Sequence, residues 1–268
     1  MSTASPGSPG TRRDRPATPA ILMAGYGAVS YLLFLLVFLY SIGWVEGLVV
    51  PRDINEGPAA STAVAIVIDL ILLSIFAVQH SVMARPAFKR VWTRIVPEPI
   101  ERSTYVLAAT AALALIMWLW RPLPAEVWHV SATPARIVLY AISLAGWALV
   151  LISTFAIDHF DLFGVRQVVR RLRGQPGADP DFRTPALYRT VRHPLYLGFV
   201  IAFWAAPTMT AGRLLFAAVT TGYILVAVRF EEHDLVGVFG DRYRNYRRQV
   251  PMLVPHPHHR GGVHSAGL

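Results

Sequence analysis

Four long apolar runs with few charged positions dominate the pattern along the chain, at residues 21–50, 61–83, 104–120 and 134–157. An α-helix rises about 1.5 Å per residue and the hydrocarbon core of a bilayer is about 30 Å thick, so these runs predict transmembrane helices. The first run is too long for the apolar part of a signal peptide and lacks a small-residue cleavage site before polar sequence. We therefore interpret it as the first span.

A fifth apolar segment, at residues 195–228, is divided by Pro207 and Gly212. Proline lacks an N–H and glycine permits unusual backbone angles, so both residues favour a break between two helical arms, 195–206 and 214–230. Helices of these lengths span about 18 and 25 Å, and the first arm is too short to cross the bilayer alone. We predict a hairpin that enters the membrane and returns to the same side.

Positive charge alternates between the connections of these segments. Arginine is abundant before the first run, in the connectors 85–102 and 158–192 and near the C-terminus, but scarce around Pro51 and Pro124. Because cytoplasmic loops carry the excess of Lys and Arg, both termini are predicted to be cytoplasmic. The pattern predicts an all-α, multi-pass protein of the inner membrane, with four long transmembrane helices and a C-terminal helical hairpin.

Composition supports this class and excludes others. The chain of 268 residues is 54% hydrophobic and 15% charged, with a mean hydropathy of +0.45, which is far more apolar than a soluble domain. The formal charge of +9 does not indicate nucleic-acid binding, because Lys89 is the one lysine among 25 basic residues and such an arginine bias is typical of a GC-rich genome. Without cysteine, disulfides, thiolate metal sites and cysteine nucleophiles are excluded.

Polar residues inside or next to the apolar runs are candidates for function. Asp69 falls within the second run, where a carboxylate is costly, and indicates either a buried structural partner or a polar pathway. The same run ends with Gln79 and His80, which are either structural hydrogen-bonding groups or the lining of a substrate pocket.

Three more polar residues, Asp158, His159 and Asp161, follow the fourth run directly. A helix cap, part of a substrate pocket and a metal site are the alternatives for this cluster. The spacing of paired histidine ligands is absent, so we predict no metal.

The start of the first hairpin arm combines a cation, an imidazole and two phenols. Arg192, His193, Tyr188 and Tyr196 surround it, and Pro194 falls in the first helical turn, where its missing N–H is not needed. The free N–H groups of a helix start, together with the Arg192 guanidinium, suit a carboxylate or a phosphate.

The second arm ends with two carboxylates, Glu231 and Glu232, on the same side of the predicted membrane. They can accept hydrogen bonds from hydroxyl or amino groups. Both ends of the hairpin together suit a zwitterionic ligand with an amino-acid end, and ordinary solvated helix ends are the alternative.

Three motifs in this region carry a family resemblance. The sequences RHPLYLG, EEHDL and FGDRYRNYRRQVP, within residues 188–251, resemble the isoprenylcysteine carboxyl methyltransferase superfamily of membrane enzymes, which includes phospholipid N-methyltransferases and NnrU-like proteins. The resemblance implies a cytosol-facing site for S-adenosylmethionine, built from the RHP helix start, the hairpin and the EE helix end. The residues that it implies as cofactor ligands are Tyr188, Arg192, His193, Pro194, Tyr196, Gly198, Glu231 and Glu232.

Further motifs are most similar to the methanethiol methyltransferases of this superfamily. They are QHSVMAR at 79–85, HFDLFGVRQV at 159–168, the pair Phe203-Trp204, PTMT at 207–210 and VPM at 250–252. This resemblance covers residues 21–255 and implies a small volatile thiol as substrate, with no obligate protein partner. The implied substrate residues are Gln79, Asp158, Asp161, Phe203 and Trp204.

Methyl transfer from a sulfonium to a thiol makes modest demands on a protein. It needs in-line positioning, with about 3 to 3.5 Å between the reacting atoms, and a fraction of thiolate. His80, His159 or a tyrosine can remove the thiol proton, and the sequence does not choose among them. Two alternatives to thiol methylation remain. One is an enzyme that methylates a lipid or isoprenylcysteine, and the other is a non-enzymatic NnrU-like protein in which Asp69 lines a pathway.

The chain divides into three parts. Residues 1–19, rich in Ser, Pro, Gly, Thr and Arg, are predicted to be a disordered tail. Residues 20–255 form the membrane domain, with 186–251 as its cofactor-binding part. Residues 256–268 are predicted to be a flexible tail that contains histidine.

Overall fold

The chain folds into helices joined by short connections in the part that the computed structural model describes, residues 17–175 and 184–255. In chain order the elements are α1 (Ala17–Glu46), α2 (Thr62–Ala84), α3 (Pro86–Trp92), α4 (Glu98–Leu119), β1 (Glu126–His129), α5 (Thr133–Ile157), α6 (His159–Leu162), α7 (Val165–Leu172), α8 (Ala186–Thr190), α9 (Pro194–Trp204), β2 (Thr208–Thr210), α10 (Ala211–Phe239) and α11 (Asp241–Gln249). The predicted tails at 1–16 and 256–268 lie outside the described residues.

Five of these helices, α1, α2, α4, α5 and α10, are long and apolar enough to cross a membrane. Large apolar side chains on them are exposed, for example Leu22 at 69%, Leu36 at 64% and Phe155 at 61%. An apolar surface of this extent is stable in a bilayer and not in water. The prediction of an all-α integral membrane protein is confirmed.

The first helix begins and ends earlier than the predicted 21–50. Residues 17–19, placed in the disordered tail by the sequence, form the first residues of α1. Pro19 fits there because the first turn of a helix has no intrahelical use for its N–H. At the other end Gly47 takes a left-handed φ of +70° and donates to the Gly43 carbonyl, which ends the helix.

The third span also starts before the predicted residue 104, because α4 begins at Glu98. Glu98 and Glu101 occupy its first turn, where the partial positive charge of a helix N-terminus stabilises carboxylates. The polar character of these residues marks the membrane boundary and not the helix boundary.

The bundle has two different ends. The basic end holds the start of α1, the ends of α2, α5 and α10, and the short helices α3, α6, α7, α8 and α11. The far end holds the antiparallel pair β1–β2. Arginines of the basic end include Arg85, Arg90, Arg94, Arg102, Arg166, Arg170, Arg171, Arg189, Arg192, Arg244, Arg247 and Arg248.

The hairpin joins both ends of the bundle. Its first helix, α9, has 11 residues and is about 16 Å long, as short as the sequence predicts. An extended stretch then continues to β2, which pairs with β1 through Thr210 opposite Glu126 and Thr208 opposite His129. Strands of three or four residues are too short to show an alternating pattern, so the sequence did not predict them.

The second helix of the hairpin, α10, has 29 residues and is about 43 Å long, more than the bilayer core requires. Glu231 and Glu232 therefore lie about two turns before its end at Phe239. The prediction that these carboxylates stand at a helix end is wrong, because α10 continues for seven more residues, to Phe239.

Candidate functional site

The start of α9 is tied to the C-terminal segment after α11. The backbone N–H groups of Arg192 and His193 donate to the carbonyls of Pro251 and Met252, at 2.8 and 3.2 Å. The Arg192 side chain donates through Nη1 to the carbonyl of Val250 at 2.5 Å. Arg192 therefore fixes the end of α11 over the start of α9, in addition to its contact with a carboxylate.

That carboxylate is Glu232, which is only 6% exposed and lies among three basic side chains. Its Oε1 accepts from Arg192 Nε at 2.6 Å and contacts His193 Nε2 at 3.2 Å. Its Oε2 lies 3.4 Å from Arg247 Nε. A buried carboxylate is stable only when it is paired in this way. The two charged clusters that flank the hairpin in sequence thus meet in space.

The neighbouring carboxylate, Glu231, accepts from the Tyr196 hydroxyl at 2.9 Å. Tyr188 lies on α8, directly before the α9 start, and its carbonyl accepts from the Tyr246 hydroxyl. Burial raises the pKa of Tyr188 and raises the pKa of Tyr246 to about 12. Tyr188 and Tyr246 both lie outside the membrane spans, and their hydroxyl groups remain protonated hydrogen-bond donors at neutral pH.

A second polar cluster lies where α2, α4 and α10 approach each other at the basic end. The Tyr105 hydroxyl of α4 is 2.9 Å from Nε2 and 3.1 Å from Nδ1 of His80 on α2. Ser81 of α2 shares a hydrogen bond of 3.1 Å with the Tyr223 hydroxyl of α10. Phe76 stacks on the His80 ring, with 5.3 Å between the ring centroids.

This cluster is linked to the carboxylates of α10. Tyr223 lies about two turns before Glu231 on α10, and Glu231 accepts from the Tyr196 hydroxyl. Of the predicted proton acceptors, His80 is thus grouped with the Tyr196–Glu231 pair. Sequence analysis missed Tyr105 and Tyr223, because a tyrosine near the end of an apolar run has the same pattern as an interfacial belt residue.

His159 occupies a separate place between α1 and α5. Its Nε2 is bonded to the Tyr31 hydroxyl and its Nδ1 to the Thr154 hydroxyl, both at 2.8 Å. Phe155 stacks on the ring at 4.1 Å between centroids. The imidazole is 6% exposed, and burial lowers its pKa, so it is neutral at physiological pH.

The acidic neighbours of His159 are engaged in local structure. Asp158 caps α6 by accepting from the Asp161 N–H at 3.2 Å, and it forms an ion pair with Arg166. Asp161 accepts from Gln167 Nε2 at 3.2 Å. Of the alternatives that the sequence left open, these contacts are those of a helix cap.

Gln79 does not share the surroundings of His80, although the two are adjacent. Consecutive helical residues point about 100° apart, and Gln79 lies in an apolar surface of α2 with Val78. Its Nε2 donates to Met83 Sδ at 3.2 Å. The structure does not bring Gln79 into one site with the imidazole.

The predicted aromatic residues of the substrate pocket lie at the other end of α9. Phe203 packs in the core against Trp147 and Phe216, at centroid distances of 5.7 and 5.0 Å. Trp204 is 38% exposed and donates to Thr221. Both are about 14 to 15 Å along α9 from its start, whereas the HFDLFG turn at 159–164 lies at the basic end. The structure therefore does not bring Phe203 and Trp204 into one site with Asp158 and Asp161.

Comparisons with known proteins agree on one family. The family model described as NnrU protein matches residues 69–241. The methanethiol S-methyltransferase of Mycobacterium tuberculosis is 58% identical over 87% of this chain and 96% of the relative. The methanethiol S-methyltransferase 1 of Bradyrhizobium diazoefficiens is 56% identical over 86% of this chain and 81% of the relative. The chain belongs to the NnrU family and to its methanethiol S-methyltransferase branch.

Membership of this branch makes the protein a membrane methyltransferase. Nurim of Bos taurus is a more distant relative, 31% identical over 65% of this chain and 70% of its own length. No solved structure matches the chain. The NnrU match begins at Asp69 and ends at Asp241, so it includes His80, Tyr105 and Glu232 but not the 250–252 segment that docks on α9.

Proposed function

We propose that the protein transfers the methyl group of S-adenosylmethionine to methanethiol, with dimethyl sulfide and S-adenosylhomocysteine as products. The observation that carries this proposal is the meeting of Arg192 and His193 with Glu232, next to Glu231, at the basic end. The printed names of the bacterial relatives support the methyl acceptor. The proposal places the reaction at the cytoplasmic face of the inner membrane, because positive charge is retained on that side.

The residues present fit the proposed methyl donor. Arg192, His193 and Arg247 offer donors for the carboxylate at the amino-acid end of S-adenosylmethionine. In the structure these three side chains surround Glu232. Glu231 offers an acceptor for an ammonium or a ribose hydroxyl, and Tyr196 orients it. When bound, S-adenosylmethionine supplies an electrophilic methyl group on a sulfonium. The proposed cofactor-binding part is residues 186–251, within a membrane domain of residues 20–255.

The remaining work of the protein is to hold the thiol and to accept its proton. The S–H bond breaks, a new S–CH₃ bond forms on the same sulfur, and the proton leaves to a base or to water. His80 and His159 are the imidazoles proposed for this role. Charge is annihilated when a thiolate meets a sulfonium, so a site with few waters favours the reaction.

Headspace gas chromatography with purified protein in lipid nanodiscs tests this function. S-adenosylmethionine with a deuterated methyl group and methanethiol are expected to give dimethyl sulfide that carries one labelled methyl. The rate is expected to fall as the alkyl chain of the thiol lengthens. Methylation of a prenylcysteine analogue or a phospholipid, without labelled dimethyl sulfide, would overturn the small-thiol assignment.

A further inference from the structure

We propose that the thiol binds between His80 on α2, Tyr105 on α4 and Tyr223 on α10, and that His80 accepts its proton. This inference rests on the proposed function and adds the place where the methyl acceptor is held. Neither Tyr105 nor Tyr223 belongs to the motifs that indicated the family.

The His80 ring keeps hydrogen-bonding capacity for a ligand. The Tyr105 hydroxyl is the one hydrogen-bond partner of His80 among the described residues, and it lies at similar distances from both ring nitrogens, 2.9 and 3.1 Å. One hydroxyl cannot align with two nitrogens of the same ring. At least one nitrogen therefore keeps its capacity for a further partner.

His159 offers the contrasting case. Both of its nitrogens are bonded at 2.8 Å, to Tyr31 and Thr154. An imidazole with two satisfied nitrogens has no position for a substrate. The structure therefore separates the two histidines that the sequence left equivalent.

The helix α10 connects the surroundings of His80 with the proposed donor site. Tyr223 and Glu231 both lie on α10, about two turns apart, and Glu231 accepts from the Tyr196 hydroxyl next to the Arg192–Glu232 contact. A thiol held at Tyr223 would therefore lie on the same helix as the carboxylates proposed for the methyl donor. Such adjacency is required for an in-line approach of about 3 to 3.5 Å.

The chemistry of the cluster around His80 suits a small thiol. Phe76 stacks on His80 and meets Tyr223 edge-on, with 6.4 Å between the ring centroids of Phe76 and Tyr223, so the imidazole lies among aromatic rings. Sulfur interacts favourably with aromatic rings, and a small thiol is a weak donor that needs only one acceptor. The thiol proton moves to a ring nitrogen, the S–H electron pair forms the bond to the methyl carbon, and the old carbon–sulfur pair stays on the departing thioether.

The natural absence of cysteine provides a direct test of thiol binding. In the single-cysteine variant Tyr223→Cys, methyl methanethiosulfonate is expected to add its methylthio group, and dimethyl sulfide is expected to slow this labelling at least fivefold. Gly222→Cys is the matched control, because Gly222 is adjacent on α10 and has no atom within 4 Å of its Cβ position. Labelling that dimethyl sulfide leaves unchanged at both positions would overturn the thiol site.

Kinetics separate this inference from the function on which it rests. His80→Asn is expected to lower kcat by at least about a hundredfold, and Tyr223→Phe to raise KM for methanethiol, with S-adenosylhomocysteine affinity unchanged in both. His129→Asn, on the exposed strand β1, is expected to behave as wild type. If wild type makes dimethyl sulfide and both variants turn over normally, the thiol site is wrong and the function stands. If wild type neither binds S-adenosylhomocysteine nor makes dimethyl sulfide, the function itself fails.

Discussion

Gly146 on α5 and Gly198 on α9 bring the backbones of these helices into direct contact. A Cβ atom at Gly198 would lie 2.6 Å from the Gly146 carbonyl oxygen, and one at Gly146 would lie 2.7 Å from the Gly198 carbonyl oxygen. No side chain fits at these distances. Gly198, implied by the family resemblance as a cofactor ligand, thus packs against α5 and acts on the site by fixing the course of α9 below Arg192 and His193.

Alanine at Gly198 is expected to destabilise the protein by about 1 to 3 kcal/mol, the usual cost of overpacking a tight interior. Gly222→Ala on α10 is the control, since that position is open and alanine favours a helix. Thermal unfolding in detergent and titration with S-adenosylhomocysteine measure both effects. Equal behaviour of the two variants would show that the close approach of α5 and α9 is not required.

The paired state of Glu232 leads to a prediction about the proposed cofactor. His193→Ala and Glu232→Ala are each expected to weaken S-adenosylhomocysteine binding by about 1.5 to 3 kcal/mol, the range for a hydrogen bond to a charged group. Arg244→Ala serves as the control, because Arg244 is exposed and its ion pair is with Asp241. Calorimetric titration of the folded variants measures this affinity, and wild-type affinity in both would exclude His193 and Glu232 as cofactor-binding residues.

The periodic features of this chain were predictable, because long apolar runs in a bilayer permit little besides helices. The position of Pro194 at the start of α9 followed from its missing N–H, and the meeting of His193 with Glu232 followed from their places at both ends of one hairpin. These inferences use local chemistry and connectivity alone.

The features that the sequence did not predict depend on rotation and depth. Gln79 and His80 are adjacent in sequence, yet their helical rotation separates them. Phe203 follows the RHP motif closely, yet the rise of α9 carries it toward the far end. The partners of His80 come from α4 and α10, and no pattern within α2 indicates which residues of other helices it meets.

Membrane orientation can be tested with introduced cysteines, since the chain has none of its own. Ala59 and Arg248 are both exposed, the first before α2 at the far end and the second on α11 at the basic end. Because positive charge favours the cytoplasm, Ala59→Cys is expected to react with an impermeant thiol reagent in intact cells, and Arg248→Cys only after permeabilisation. Labelling of Arg248→Cys alone in intact cells would reverse the orientation.

The far end contains a buried carboxylate, Glu46, that joins α1 to α5. Its Oε1 accepts from the Ser143 hydroxyl at 2.6 Å and from Trp147 Nε1 at 2.8 Å. Glu46→Leu is expected to lower the free energy of unfolding by about 1 to 3 kcal/mol, because Trp147 loses its acceptor. Glu46→Gln retains an acceptor oxygen and should cost less. Melting of both variants in one detergent compares them, and equal losses would contradict this role.

His159 gives the stability of the protein a predicted dependence on pH. Burial lowers its pKa in the folded protein, whereas the unfolded chain has an ordinary histidine pKa of about 6.5. As the pH falls below about 6.5, the unfolded state binds a proton at this ring that the folded state does not, so the contribution of His159 to stability is lost toward acid and is constant at higher pH. The slope contributed by one such group is at most about 1.4 kcal/mol per pH unit. Melting between pH 5 and 8 should show a shallower acid loss in His159→Gln than in wild type. An unchanged slope in His159→Gln would mean that this imidazole titrates alike in both states.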